Sequence, residues 1–435
     1  MDQDPPQKET TLKRLRESGR LELAAILETH WETSIEEYAE SLWDHDKKEI
    51  ELEPELLQAF HQEFLRIGFS YEEASESISS LKRTRTLQTA THVTASEGPT
   101  FFASHQLALR GIPKGETYLV GAYSGVPFAN AAWSGCLNFS SEIELGAILS
   151  EKAPGFSDLL RADQDRRRDT NERRISMIPG KWRDSQVFGS DISEKQKSLA
   201  SYWNKDLQKL MPPAENYHSF SAWCSGFCRK QAEILFPKTK MIYFDLNEVI
   251  RNYLIKVISR PQHPMTLVLL NPEKRSQALD FFGPETSFFS FNTNHGNRIR
   301  LKSVNFQENP VKETQGNFEM NEEELLQMLK ERTFCPTLFI CFTVLVFLNG
   351  LNCMGSFEQV EYLEKFKINW NRLAFPGILP EHLQETKKLS CGRMISIEGN
   401  PIYPLDLILG TNPSFAEPLS LGRWLEPLFP RLGLL

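Results

Sequence analysis

The chain lacks every short motif that advertises a common enzyme class. No Gly-x-Gly-x-x-Gly, no phosphate-loop lysine, no Gly-x-Ser-x-Gly and no His-Glu-x-x-His occurs in its 435 residues, which removes the commonest dinucleotide, nucleoside-triphosphatase, serine-hydrolase and zinc-protease readings. It also lacks an excess of positive charge. With 49 Lys and Arg against 57 Asp and Glu, the formal net charge is -8, so nucleic acid is not an expected partner. No apolar segment is long: Pro336–Leu348 (PTLFICFTVLVFL) falls short of the roughly 20 residues of a bilayer span and is expected as a buried helix or strand. Neither a basic-then-apolar leader nor a disulfide framework is visible. Met1-Asp-Gln-Asp-Pro-Pro opens the chain and seven cysteines are scattered along it, a pattern that suits the cytoplasm.

What is present is core-forming material. Hydrophobic residues make up 40% of the chain and Phe alone occurs 29 times, enough for a packed globular interior. Residues 1–9 are polar and Pro-rich and read as a flexible tail. From 10 to 90 the apolar positions recur at helical spacing (Leu23, Ile26, Leu27; Leu56, Leu57, Phe60, Phe64), and Ser70 followed by Glu73 forms a capping box. This part is expected as a helical layer. Strand patterns then appear at Thr91–Ser96, Tyr118–Tyr123, Lys240–Phe244 and Thr266–Leu270, the last closed by Asn271-Pro272, with helical stretches between them. Strands separated by helices imply a parallel sheet. The expected fold is therefore α/β: a Rossmann-like core over 91–300, carrying a charged insertion at about 151–200, and a mostly helical part over 301–435 that completes the site. Within the insertion, Arg161–Arg174 reads as a solvated helix face or loop. Residues 303–321 read as loop and Glu322–Leu329 as helix.

The densest chemistry lies in Thr91-His-Val-Thr-Ala-Ser-Glu-Gly-Pro-Thr100. Read as a strand entering a helix, it puts His92, Thr94 and Ser96 on one face, with Thr100 as the helix cap and His105 one turn after Phe101. His92, Glu97 and His105 are the candidate acid/base groups. Thr94 and Ser96, together with Ser124 and Asn130 beyond the second strand, are candidates for holding substrate. Asp245 or Asn247 is placed to cap the helix after the third strand. His218, Cys224 and Cys228 suggest a metal only weakly, since a second ligand pair is missing, and no metal is expected.

Three segments, in order, are similar to the bacillithiol-synthesis cysteine-adding enzyme family. The helical region Phe64–Leu81 leading into Thr91-His-Val-Thr94 resembles that family's approach to its Val-Thr-Gly-Gln-Gln motif. Met241–Ile258 resembles its later strand ending in Asp. Gly355-Ser-Phe-Glu-Gln-Val-Glu-Tyr362 resembles its Gly-Gly-Pro-Gly-Glu-Ile-Ala-Tyr, with Lys367 in step. Two departures stand out: Ala95-Ser96-Glu97 replaces Gly-Gln-Gln, and Gly125-Val126-Pro127-Phe128 replaces an acid-His-acid cluster. The resemblance implies a Rossmann-like cleft with a nucleotide as the candidate cofactor near Gly355, Ser356, Glu358, Gln359 and Tyr362. It pairs these with the 91–100 segment as two walls of one site, lined by both Glu97 and Glu358.

The function expected from these readings is biosynthetic ligation or group transfer on a small polar metabolite carrying an amine, carboxylate or phosphate. Nucleotidyl or phosphoryl transfer, with His92 and His105 facing the phosphoryl group, is the alternative within enzymes. A non-catalytic ligand- or partner-binding protein on an enzyme-derived fold is the alternative outside them. The expected partner is a small molecule, not a membrane, and a homodimer is left open.

Overall fold

The computed structural model describes residues 8–43, 51–125, 136–140, 172–177, 189–200, 209–283, 286–292, 298–302 and 321–434. Among them are the strands β1 (Thr86–Gln88), β2 (Tyr118–Ala122), β3 (Cys136–Ser140), β4 (Glu172–Ser176), β5 (Met241–Asp245), β6 (Ser287–Asn292), β7 (Arg298–Lys302), β8 (Phe334–Pro336) and β9 (Asn352–Met354). The central sheet has four strands in the order β5-β2-β1-β9, and all its pairings are parallel. An antiparallel β3-β4 ribbon and an antiparallel β7-β6-β8 sheet accompany it. The protein is thus α/β with a parallel core.

Side chains alternate across this sheet as the strand period requires. Leu87, Leu119, Ile242, Phe244 and Cys353 enter one apolar core, while Tyr118, Val120, Ala122, Met241, Tyr243 and Met354 enter the other. The N-terminal helices divide between the two. Helices α1 (Lys8–Glu17), α2 (Leu21–His30) and α3 (Ile35–Ser41) pack into the Tyr118 core, whereas α4 (Pro54–Arg66) and α5 (Tyr71–Thr84) pack into the Leu119 core. The β1–β2 crossover helix α6 (Pro99–Gly111) and the Phe220–Leu235 helix before β5 lie on the Tyr118 side. Leu246–Val257, which follows β5 on the way to β9, lies on the other. The chain therefore leaves β1 in one direction and comes back beside it at β9 over the opposite face. In open α/β sheets the crevice at such a reversal, outside the carboxyl ends of the strands, is where ligands bind.

Local expectations met the structure unevenly. The Ser70–Glu73 capping box is present with both reciprocal hydrogen bonds, Asp245 caps the Leu246–Val257 helix, and Glu322–Lys330 is helical. The apolar run is a buried helix, α-helical at Leu338–Phe342 and π-helical at Thr343–Leu348. Among the described residues no helix is long and apolar enough to cross a membrane.

Thr266–Leu270, expected as a strand, lies inside the helix Pro264–Leu270. Pro264 stands at its first turn, the His263 ring accepts the Met265 N–H, and Asn271 caps the next helix instead of closing a strand. The strand expected at Thr91–Ser96 is also displaced: β1 ends at Gln88, and only His92 makes a further bridge, to Tyr123. Gly98, not Thr100, is the N-cap of α6. Glu172–Arg174 of the charged stretch belongs to strand β4; the rest of that stretch, residues 303–320 and Asn130 lie outside the described residues. The C-terminal part is less helical than expected, with one short 3-10 turn, Glu381–Leu383, between Ala374 and Tyr403.

The close packing of α6 on α3 is testable. A methyl group added at Gly111 would lie 2.0 Å from the Ala39 carbonyl oxygen, an overlap that only backbone movement can relieve. Gly111→Ala is expected to destabilise the protein by about 2 kcal/mol, read as a lower urea midpoint; an unchanged midpoint would contradict this packing.

Candidate functional site

A chain of buried polar side chains joins the end of β1, by way of β2 and α6, to the loop between β1 and α6. It begins at Gln88, the last residue of β1, whose side-chain oxygen accepts the backbone N–H groups of Thr89 at 3.0 Å and Ala90 at 2.9 Å. Those two bonds fix which end of the amide is which. The Gln88 Nε2 group then donates to Ser390 Oγ at 2.8 Å and to the Tyr118 hydroxyl at 3.4 Å. Ser390 Oγ in turn donates to the Ser104 carbonyl of α6. Tyr118 lies 2.9 Å from His105 Nδ1, and His105 Nε2 lies 2.9 Å and 2.7 Å from the two oxygens of Glu97. Burial pushes the Tyr118 phenol far upward, so it keeps its proton. All of these side chains are buried, and Glu97, the outermost, is 7% exposed.

The loop between β1 and α6 holds Glu97 in place by folding on itself. Thr94 Oγ1 donates to the Ser96 carbonyl. Ser96 Oγ accepts the Asn138 N–H of β3, and Asn138 Nδ2 donates to the Ser96 carbonyl, both at 2.6 Å. Gln231 Nε2 donates to the Ala95 carbonyl, and Cys228 Sγ to that of Thr94. Thr94 and Ser96 are fully buried, so these hydroxyls shape the loop. His92 is half-buried, edge-on to Phe101 at 5.7 Å and tilted to Tyr123 at 6.3 Å, with its carbonyl accepting from the Tyr243 hydroxyl. Among the described residues its ring nitrogens have no hydrogen-bond partner. Burial pushes its imidazole down to about 4, which leaves it neutral at pH 7.

The second wall proposed by the sequence is divided. Gln359 folds over Gly355, where a Cβ would lie 2.0 Å from its amide carbon, and donates to Thr89 Oγ1 and the Cys353 carbonyl. It thereby meets the residue next to Gln88. Ser356 is the N-cap of the Phe357–Leu373 helix. Glu358 points elsewhere: its exposed carboxylate pairs with Arg20, ahead of α2, at 2.7 Å. Tyr362 packs against Phe342 and Phe366, and burial raises its phenol. No contact joins Glu97 and Glu358 among the described residues.

Beyond β2 and β5 lies a charged network that sequence reasoning missed. Ser124 Oγ donates to Asp245, and its N–H to the Asn247 side chain. The Asp245 N–H donates to Glu63, which Arg66 grips with two hydrogen bonds while also donating to Ser219 and Ser221. Glu248 pairs with Arg251 and Arg332. Burial pushes the Glu63 carboxyl upward, and Arg66 offsets only part of this. Burial acts on Glu248 too, but Arg251, Arg66 and Arg332 outweigh it and hold that carboxyl at about 2. One signal was available: Glu63 occupies the apolar stripe of α4 beside Phe60 and Phe64, a position for a carboxylate only if it is paired.

The chain matches no family model, no curated relative and no solved structure. Cys224 and Cys228 are buried in the Phe220–Leu235 helix, and among the described residues no group of three His, Cys, Asp or Glu could hold a metal.

Two consequences are measurable. His92 titrates lower in the folded chain than its ordinary 6.5, so its stabilising contribution is complete above about pH 6.5 and is lost as pH falls toward 4. His92→Gln should remove up to ~3 kcal/mol of acid sensitivity over that window, seen as a flatter urea-midpoint profile; an unaltered slope would contradict the burial of the ring. Arg66→Ala strands the buried Glu63 charge and should cost about 3–5 kcal/mol. Arg20→Ala, at an exposed pair, should cost under about 1 kcal/mol, and equal losses in denaturant titrations would count against the difference in burial.

Proposed function

We propose that this protein is an enzyme with a Rossmann-like core that performs ligation or group transfer on a small polar metabolite, at the carboxyl ends of its central strands. One observation carries the reading: the Glu97 carboxylate, in the loop that leaves the carboxyl end of β1, is held by a fully buried His105–Tyr118 pair. A carboxylate so oriented suits a general base that takes a proton from a substrate group. Both ring nitrogens of His105 are engaged, so a proton taken by Glu97 returns outward, to the leaving group or to water. His92, neutral at pH 7, suits hydrogen bonding and proton transfer better than charge pairing with phosphate. The order of motifs that resembles the bacillithiol-synthesis family supports the cleft, and the buried cysteines Cys228, Cys341, Cys353 and Cys391, none in a disulfide among the described residues, support a cytoplasmic setting.

Nucleotidyl transfer is less well supported, because His105 has no nitrogen left for a phosphoryl group and Arg20 is paired with Glu358. A non-catalytic binding protein is the second reading, favoured by the inward-turned hydroxyls of Thr94 and Ser96.

A thermal-shift panel of amino sugars, amino acids, sugar phosphates and nucleoside triphosphates, followed by mass-spectrometric detection of products, tests the proposal. The expected result is binding of one class, weakened ~10-fold or more in Glu97→Gln through loss of charged hydrogen bonding, with product formation reduced in His92→Gln. Binding without product, indifferent to both changes, would favour the second reading. Absence of binding by every class would overturn the proposed site.

A further inference from the structure

We infer that Gln88 and Tyr118 are positioning residues that set the proton arrangement of His105 and thereby keep Glu97 a hydrogen-bond acceptor. The inference rests on the proposed role of Glu97, but its argument is one of proton placement. The oxygen of the Gln88 amide is committed to two backbone N–H groups, so only its Nε2 group can face Tyr118 and Ser390. A donor on that side leaves the Tyr118 proton one acceptor among the described residues, His105 Nδ1 at 2.9 Å. A buried hydroxyl proton without an acceptor is costly, so the proton takes that acceptor. His105 is therefore protonated on Nε2, and that proton points at Glu97.

Each donor in the series faces outward, from the backbone of Thr89 and Ala90 through Gln88, Tyr118 and His105 to the carboxylate. The arrangement is directional because the strand end is directional: N–H groups just past β1 supply its first two bonds. Neither Gln88 nor Tyr118 reaches the carboxylate, and both act through His105. His92 and Ser124, on the same edge, have no part in the series, which passes beneath the loop and not through it.

The test is a nitrogen-15 spectrum of protein labelled at its histidines, nine in all, with the His105 signals assigned by their loss in His105→Asn. Wild type at pH 7 should show an acceptor-type Nδ1 and a protonated Nε2 for this ring. Gln88→Glu keeps the size of the side chain but turns the group facing Tyr118 from donor to acceptor. The phenol proton should then swing toward the new carboxylate, and His105 Nδ1 should become protonated. Tyr118→Phe, which removes the donor to Nδ1, should move the Nδ1 signal from that of a hydrogen-bonded acceptor to that of an acceptor with no hydrogen bond, and it serves as a second variant should Gln88→Glu fail to fold; an unmoved Nδ1 signal would count against the inference. A protonated Nδ1 in the wild type, or a folded Gln88→Glu protein with unchanged His105 signals, would overturn the inference. If the signals switch as expected while ligand binding is insensitive to Glu97→Gln, the proton arrangement stands and the proposed function falls.

Discussion

A side-chain amide buried at the end of a central parallel strand has no water to turn to, and the fold is built so that Gln88 needs none. Its oxygen is satisfied by the chain leaving β1 and its nitrogen by β2 and the C-terminal segment at Ser390. The cost of an unmet buried polar group, about 1–3 kcal/mol each, makes these partners mutually dependent. Moving β2 by one residue would carry Tyr118 to the opposite core and leave both Gln88 and His105 short of a partner. Ser390 ties the same point to α6 through Ser104, so a segment 302 residues away in sequence closes the network. The wandering, largely irregular stretch after residue 374 is held where it is by polar bonds of this kind, with Gly355 and Leu389 pairing beside them.

The same edge of the sheet carries two polar systems of different character. Beneath the β1–α6 loop an amide, a phenol, an imidazole and one carboxyl group are joined in a single series of hydrogen bonds. Beyond β2 and β5, acids and arginines compensate one another: Glu63 with Arg66, and Glu248 with Arg251 and Arg332. A charge-compensated cluster of this kind is costly to break but has little to offer a ligand, since its acceptors are filled. The other series ends on Glu97, whose one hydrogen-bond partner among the described residues is His105. That contrast is why the proposed function assigns the base to Glu97 and not to the more numerous carboxylates near β5.

Much of the fold was legible because it rests on period and punctuation. The strand at Tyr118 and the strand-to-helix step at Asp245 have alternating or capped patterns that local chemistry alone enforces. The helix at Pro264–Leu270 was misread because an apolar run of that length fits a strand equally well, and what decides it is a histidine cap and a proline just upstream. The position of β1 was misread for a related reason. Thr86–Gln88 is only three residues long, too short for alternation to register, while the polar Thr91–Ser96 stretch mimics the alternation of a strand. Glu97 and His105 could be singled out from the sequence, but not their pairing, which depends on the turn through Gly98 bringing two residues eight apart onto one side of α6. Gln88 and Tyr118 gave no sign at all, because a polar residue in a strand is informative only once its neighbours are known.

Glu358 shows the limit of reading motifs by order. In sequence it stands at the start of a helix following a glycine, the setting of a phosphate site. In the fold, its helix begins beside the start of α2: Arg20 takes Glu358, and the Leu23 N–H donates to Glu361. The dipole at a helix start attracts negative charge, and here both helix starts are served by this chain's own acids. An anion brought to this place would meet two carboxylates and a committed arginine. The segment that resembles a nucleotide site thus works as a joint between the N-terminal helices and the start of the Phe357–Leu373 helix.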